Sequence, residues 1–429
     1  MMRIGFNDYK EIKEYYDNDL NVDKKLVKTS NDEPTPITCV EEMVDRIPEE
    51  FWKREGLKIL DPCCGCGNFP FVIYHKLIKY HSRETILKDI LHFNDLNMDR
   101  IEVLKNIFDY EGLNVYTEDF LNFTTDIRFD LIVANPPYAK LDVNGKRTAK
   151  NHNLIGLFIS KSLDLLLDRG LLLYITPDNW MSYADRNTLI IRLTKLQIVH
   201  INIHMAKKYF PKVGSSFVWY LIENTESYKD ITVEGKWKGE IYKSSVKSEE
   251  RRYIPLYYNK RVQSILRKTL DNKRLKKFEV ETTSYLHKYT KKAYIRKDKD
   301  EEHIYKLIHT PKQVVWSSKK HKYQDGWKVF ISTTSYYGTF VDNCGMTQSI
   351  AFIRCKDLEE ANKINKVLSH PLYKFVNDIC RYGNFNNIRI LQSFPYIDDY
   401  DKVYKKFKIT KKEQDFIESK ITGFSLPET

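Results

Sequence analysis

Two short stretches combine residue types that an ordinary turn does not need. The first is Asp61-Pro62-Cys63-Cys64-Gly65-Cys66-Gly67-Asn68-Phe69, and the second is Asp130-Leu131-Ile132-Val133-Ala134-Asn135-Pro136-Pro137-Tyr138. In the second, an apolar run leads straight into Asn-Pro-Pro-Tyr. The two prolines fix the backbone and carry no N–H. Such a cradle presents the Asn135 amide oxygen, the Pro136 carbonyl and the Tyr138 ring face to a planar group with an exocyclic amine. In the first stretch, glycines let a ligand approach the backbone, and a helix starting there can receive an anionic group such as a carboxylate. It lacks the G-x-G-x-x-G spacing of dinucleotide sites and the G-x-x-x-x-G-K-[ST] phosphate loop. Asp95, after the next apolar run, is placed to accept two ribose hydroxyls. Asp119, after the one following, is placed to accept from an adenine amine. Together these describe a pocket for a nucleoside with an amino-acid tail, although an acid at a strand end, taken alone, is more often a turn former or N-cap.

Those residues need a scaffold that holds strand ends side by side. Leu57–Leu60 reads as a strand, Phe69–Tyr80 as a helix, and Ile90–Asn94 as a second strand followed by a helix through Ile101, Leu104 and Ile107. Asn114–Tyr116 and Phe129–Val133 are further strands. Leu154–Leu167 has helical spacing, ended by Arg169-Gly170, and Leu171–Ile175 is the next strand. A pair of strands near Val213–Ile222 would complete the set. Strands alternating with helices predict a doubly wound, mostly parallel α/β sheet. The rhythm stops near residue 224, which sets domains at 1–224 and 225–429. The second is predicted to be α+β, with a strand at Trp327–Ile331 and a helix at Leu358–Leu368.

With 429 residues, 42% of them hydrophobic, the chain can build real cores, which excludes a disordered tail protein. Apolar runs such as Leu171–Ile175 fall far short of the ~20 residues that span a bilayer. The start, Met1-Met2-Arg3-Ile4-Gly5-Phe6-Asn7-Asp8, has no secretory h-region. A cytoplasmic, reducing setting is expected, because seven cysteines with three packed together do not resemble a secreted disulfide frame. Cys63, Cys64 and Cys66 lack C-x-x-C spacing and a nearby second Cys/His pair, so no metal is expected, while a redox-sensing role stays open. The net charge of +12 is uneven: residues 231–429 carry 40 Lys and Arg against 24 Asp and Glu, and residues 1–230 carry 30 against 34. A basic half points to a polyanion, nucleic acid first, although a Lys-rich composition alone would also produce it.

The two motifs in this order resemble the gamma class of S-adenosylmethionine-dependent DNA amino-methyltransferases, which methylate adenine at its exocyclic nitrogen. The resemblance covers residues 34–222. It implies a Rossmann-like methyltransferase sheet with a C-terminal DNA target-recognition domain, and S-adenosylmethionine as cofactor. Thr35-Pro36 then stands at the methionine end. Asp61, Pro62, Cys63, Gly65 and Phe69 form the cofactor loop, Asp95 takes the ribose, and Asp119 with Phe120 takes the adenine. Asn135, Pro136, Pro137 and Tyr138 are catalytic, with Asn135 and Pro137 also facing the cofactor. Tyr138 and Phe210 would stack on the extruded base. Asn153–Phe158 and Tyr174–Trp180 are similar to the family's next helix and strand. Cys64 and Cys66 depart from its usual loop residues.

The resemblance further implies that the basic half meets double-stranded DNA, with Lys273, Arg274, Lys319 and Lys320 as phosphate contacts. Tyr336 and Tyr337, in Ser332–Gly338, and Arg381, Asn384, Asn386 and Asn387 are candidates for base edges. Each cluster reads equally as a solvated face or turn. Only 34 residues precede Thr35, too few for a fused nuclease domain, so a stand-alone enzyme is expected. A chain carrying both halves can act as a monomer on an asymmetric site, no membrane is expected, and a separate cognate restriction endonuclease is admitted as a partner. RNA or cytosine N4 as substrate, a glutamine amide in release factors, and a retired DNA-binding module remain competing readings.

Overall fold

A computed structural model describes residues 9–26, 33–138, 154–184, 188–211, 213–214, 216–334 and 336–421. The chain divides into two compact units, one of residues 1–180 and 187–251, the other of residues 181–186 and 252–429. No described helix is long and apolar enough to cross a membrane.

The first unit is built on a nine-stranded sheet. Its strands are β1 (Ile59–Asp61), β2 (Leu91–Asn94), β3 (Asn114–Tyr116), β4 (Phe129–Ala134), β5 (Leu166–Pro177), β6 (Leu196–Ile203), β7 (Phe217–Glu226), β8 (Ile231–Trp237) and β9 (Glu240–Val246). They lie in the order β3-β2-β1-β4-β5-β7-β6-β8-β9. The first five are parallel, and β7 runs antiparallel between β5 and β6. Every residue of β1, β2 and β4 is buried, as expected of central parallel strands covered on both faces. The chain winds outward from β1 through β2 to β3, then returns to place β4 on the other side of β1. That reversal opens a crevice at the carboxyl ends of β1 and β4, where sheets of this kind bind ligands.

The expected Rossmann-like α/β sheet followed by an α+β unit is therefore present, with three local differences. The helix expected to reach Leu167 spans Ile155–Leu165, and β5 begins at Leu166. Residues 167–170 bulge between the pairs Phe129↔Leu166 and Leu131↔Leu171. Arg169 turns there with φ 59°, and a Cβ on Gly170 would lie 3.0 Å from the Leu167 and Phe129 carbonyls. Of the strand pair expected near Val213–Ile222 only β7 lies there; its partner β6 comes earlier. The sheet also continues past residue 224, because β8 and β9 form a hairpin on its edge. Its two-residue turn, Lys238-Gly239, has φ 47° and 86°, the positive values that match the twist of a tight hairpin.

The second unit holds a four-stranded sheet of β10 (Ile295–Arg296), β11 (Tyr305–Thr310), β12 (Gln313–Ser317) and β15 (Gly345–Met346). A three-stranded antiparallel sheet of β13 (Lys328–Ser332), β14 (Thr339–Asp342) and β16 (Ile350–Arg354) accompanies it. Helix Leu358–Leu368 has the predicted bounds and is capped by the Asp357 carboxylate, which accepts from the Glu360 N–H.

Gly67 starts the helix Asn68–Leu77 that follows β1. Its φ is 96°, and an added Cβ would meet Phe108 and the Tyr16 hydroxyl at 3.2 Å and Leu104 at 3.3 Å. Replacing Gly67 with Ala is expected to cost about 1–3 kcal/mol, combining left-handed strain and overpacking. Urea unfolding of both proteins checks this; an unchanged midpoint would refute it.

Candidate functional site

A cavity of about 770 Å³ occupies the crevice at the ends of β1, β2 and β4. Its wall contains Thr35, Asp61, Pro62, Cys63, Gly65, Phe69, Asp95, Asp119, Phe120, Asn135 and Pro137, drawn from five separate stretches of chain. Pro36, Pro136, Tyr138 and Phe210 are not among the lining residues.

The loop after β1 is shaped by its own side chains. Asp61, almost fully buried, accepts from the Cys63 N–H at 3.2 Å, and Asp95 accepts from the Gly65 N–H at 2.9 Å. The other Asp95 oxygen accepts from Asn97 N–H at 2.8 Å, so this one carboxylate ties the β1 and β2 loops together. Asn94 adds a second tie, donating to the Pro62 carbonyl at 2.9 Å and the Glu118 carbonyl at 3.0 Å. Asn68 donates to the Thr35 carbonyl at 2.8 Å, which brings the N-terminal segment against the loop. The Pro36 carbonyl starts the helix Ile37–Val44 instead of facing the cavity, accepting from Cys39 and Val40.

Thr35 is buried, and among the described residues its hydroxyl has no hydrogen-bond partner. An unpartnered buried hydroxyl in a cavity wall fits a polar ligand group. The wall also holds Glu33, Asp61, Asp95, Asp99, Glu118 and Asp119 against the single cation Arg100, whose guanidinium donates to the Leu26 carbonyl. Six carboxylates favour a ligand of positive charge. Burial, with Asp95 nearby, pushes the Asp61 carboxyl well above its ordinary range. Burial likewise raises the Cys63 and Cys64 thiols, and takes Cys66 up to about 12. Those thiols are protonated at neutral pH, which disfavours thiolate chemistry. Leu96 and Met98, 67% and 59% exposed, add apolar surface to the wall.

Asn135 lies where β4 ends, and the Cys63 thiol is 3.5 Å from its carbonyl. Its side-chain amide is held at both ends: the nitrogen donates to the Glu33 carbonyl at 2.9 Å, and the oxygen accepts from the Tyr138 hydroxyl at 2.7 Å. Burial raises the Tyr138 phenol and keeps it a donor. The Tyr138 ring packs at 6.0 Å from Phe217. Phe210, expected to be an accessible stacking ring, is fully buried and stacked on Phe217 at 4.4 Å. It supports this aromatic group from behind. Of the helix expected at Asn153–Phe158, Asn153 lies outside the described residues.

Sequence reasoning missed a buckle beside this group. His204 follows β6 with φ 65°, uncommon for a residue with a side chain, and its Nε2 lies 2.7 Å from the buried Asp178 carboxylate after β5. The His204 N–H also donates to the Phe217 carbonyl at 2.9 Å. Glu33, Asn68, Asn94 and Arg100 were missed as well. Their contacts join segments remote in sequence, and no local pattern announces them.

In the second unit the candidates sort differently. Lys273, Arg274 and Lys319 are exposed. Lys277, in the same cluster as Lys273, is turned inward onto the Thr269 carbonyl at 3.1 Å, and burial lowers its amine to about 8. Lys320 is paired with Asp325 at 2.7 Å. Tyr336 is 59% exposed beneath the Arg381 guanidinium, at 4.8 Å. Three candidates expected at base edges make internal hydrogen bonds. Tyr337 donates to the Leu368 carbonyl at 2.8 Å. Asn386 is buried and donates to the Ser332 carbonyl at 2.7 Å. Asn387 caps the helix Ile388–Gln392 and donates to the Tyr183 carbonyl. Of the Asn384 side chain and of Ser335 nothing is described.

Residues 61–210 match the family described as Eco57I restriction-modification methylase. The type II methyltransferase M.TthHB8I of Thermus thermophilus is 27% identical over a 154-residue alignment covering 29% of this chain and 36% of that protein. The chain thus matches little more than a third of that relative's length. Among solved structures, the type IIL restriction-modification enzyme MmeI, in complex with DNA, superposes with a TM-score of 0.56 at 10% identity, covering 98% of this chain and 75% of that one. The DrdV–DNA complex gives 0.56 at 11% identity, covering 95% and 59%. At such identities the likeness is one of fold.

A cation seated beside Asp61 would favour its ionised form, so binding of a positively charged ligand in this cavity is expected to release a proton. Affinity should rise with pH until the raised Asp61 pKa is passed and then level off. Calorimetry in buffers of different ionisation heat measures the release. Equal affinity at every pH, or the same proton release from Asp61→Asn, would refute it.

Proposed function

We infer that this chain is an S-adenosylmethionine-dependent methyltransferase of restriction–modification type that methylates the exocyclic N6 of adenine in duplex DNA. The observation that carries the reading is the Asn135 amide, fixed at both ends where β4 meets an acidic, nucleoside-sized cavity. The family match over residues 61–210 supports the chemistry, and the DNA-bound fold neighbours support the substrate class.

In this reading Thr35 and the loop Asp61–Phe69 hold the amino-acid end of S-adenosylmethionine, Asp95 the ribose, and Asp119 with Phe120 the adenine. The bound cofactor supplies an electrophilic methyl group on a sulfonium. The target adenine must leave the duplex, at about a few kcal/mol. Stacking on Tyr138 returns roughly 1–3 kcal/mol of that. Phe210 acts through Phe217, which packs against Tyr138. The Asn135 oxygen keeps a second lone pair beside the Tyr138 bond, and with the Pro136 carbonyl it accepts from the two amine hydrogens. This would draw the nitrogen lone pair out of ring conjugation and direct it in line with the methyl group. The N–C bond would form as the sulfonium–methyl bond breaks to leave a neutral thioether, and the cationic nitrogen would lose a proton to solvent, with no covalent enzyme intermediate. Positioning and hydrogen bonds that strengthen as the nitrogen becomes cationic supply most of the rate. His204 and Asp178 hold the aromatic support in register. The residue 252–429 unit, with 35 Lys and Arg against 20 Asp and Glu, serves as the target-recognition domain.

Incubation with labelled S-adenosylmethionine and unmethylated genomic DNA should place label in 6-methyladenine within one short repeated sequence. Label in 4-methylcytosine would overturn the base, and label in RNA alone would overturn the substrate. Asn135→Ala should lower turnover by about a hundredfold or more while cofactor affinity falls far less. Tyr138→Phe, which keeps the ring, should lose less than Tyr138→Ala. Near-normal turnover in Asn135→Ala would refute the mechanism.

A further inference from the structure

Beyond the sequence clusters just discussed, and sharing only Lys319 with them, the second unit carries another surface suited to a polyanion. Residues 282–297 include no Asp or Glu, yet they hold Lys288, Lys291, Lys292, Arg296 and Lys297 among Tyr285, Tyr289 and Tyr294. The stretch is pinned from within. Leu286 and Ile295 are buried with Leu307 and Val315, and Ile295 and Arg296 pair with Ser317 and Trp316. The Lys291 N–H donates to the His287 carbonyl at 2.9 Å, and the Ser318 N–H to the Tyr294 carbonyl at 3.0 Å. Lys291, Lys292, Arg296 and Lys297 are thereby held exposed on a fixed backbone.

Two of the cations here, Lys319 and Lys288, sit on rings instead of carboxylates. The Lys319 ammonium lies 5.6 Å from the centres of both Tyr285 and Tyr294, and Lys288 lies 5.9 Å from Tyr289. An aromatic face orients an ammonium without cancelling its charge. Among the described residues none of Lys288, Lys291, Lys292, Arg296, Lys297 and Lys319 is in an ion pair. Elsewhere in the unit Lys306 pairs with Asp342 at 2.5 Å and Arg354 with Glu281 at 2.7 Å. Of the acids that follow, Asp300 is folded onto His303, accepting from its N–H at 2.6 Å.

We propose that this face, residues 285–297 with Lys319, binds the sugar-phosphate backbone of duplex DNA. The proposal rests on the reading of the chain as a DNA methyltransferase and names the surface that positions its substrate. Phosphate contacts fix register and orientation without reading sequence, and each adds to the salt dependence of binding.

The test uses the full chain and a labelled duplex, with a structured RNA of equal length beside it, in a salt titration. The variant Lys291→Glu with Lys292→Glu is compared with Lys405→Glu with Lys406→Glu, which removes the same charge from exposed positions elsewhere in the unit. The first variant should bind duplex at least roughly tenfold more weakly, with a log–log salt slope shallower by about two. Its S-adenosylmethionine affinity should be unchanged, which also reports an intact fold. Equal losses in the two variants would overturn the surface while wild-type DNA methylation leaves the enzymatic reading standing. Binding of RNA alone through these lysines would overturn the proposal, and absence of wild-type activity on DNA would remove the reading beneath it.

Discussion

The site depends on the parallel pairing of β1 with β4. Ile59 lies opposite Leu131 and Leu60 opposite Ile132, so two buried strands end together and release Asp61 and Asn135 into one crevice. A side chain on a strand alternates faces with each residue, so a slip of one position would carry every β4 side chain from the packed face it fits to the opposite one. Burial on both faces therefore enforces the register that catalysis would need. The loop after β1 must turn within a few residues, which is why Gly67 carries a backbone conformation that other residues resist.

Charge is divided between the two units according to what each would meet. The cavity concentrates acidic residues at strand ends, and burial, with Asp95 nearby, raises the Asp61 pKa. In the second unit Lys319 lies over the Tyr285 and Tyr294 rings and keeps its charge available to a partner.

The sheet and cavity were largely legible in the sequence because their signals are local. An apolar run ending in Asp-Pro or Asn-Pro-Pro declares both a strand and what stands at its tip. Asp61, Asp95, Asp119, Asn135 and Thr35 do meet in one wall. Legibility failed where a residue's role is set by distant neighbours. Phe210 has the composition of a stacking residue, but Phe217 covers it. Asn386 and Asn387 have hydrogen-bonding groups suited to bases and spend them on the Ser332 and Tyr183 carbonyls. The β8–β9 hairpin was overlooked because Lys238-Gly239 is a weaker turn signal than Asn-Gly. The basic face at residues 285–297 was passed over because its lysines are interspersed with tyrosines and form no dense run.

The grip on Asn135 also bears on how this protein can tolerate change. The amide nitrogen is held by the main-chain carbonyl of Glu33, and two residues later the Thr35 carbonyl is held by Asn68. Both contacts draw on the backbone of the N-terminal segment, so the side chain at position 33 can drift without disturbing them. Insertions and deletions are another matter, since one residue gained or lost just ahead of Thr35 would move the Glu33 carbonyl away from the amide. An acid at position 135 would fare no better, for a carboxylate has no hydrogen to donate and would face a carbonyl oxygen. Mutational tolerance here follows the length of the segment more than its composition.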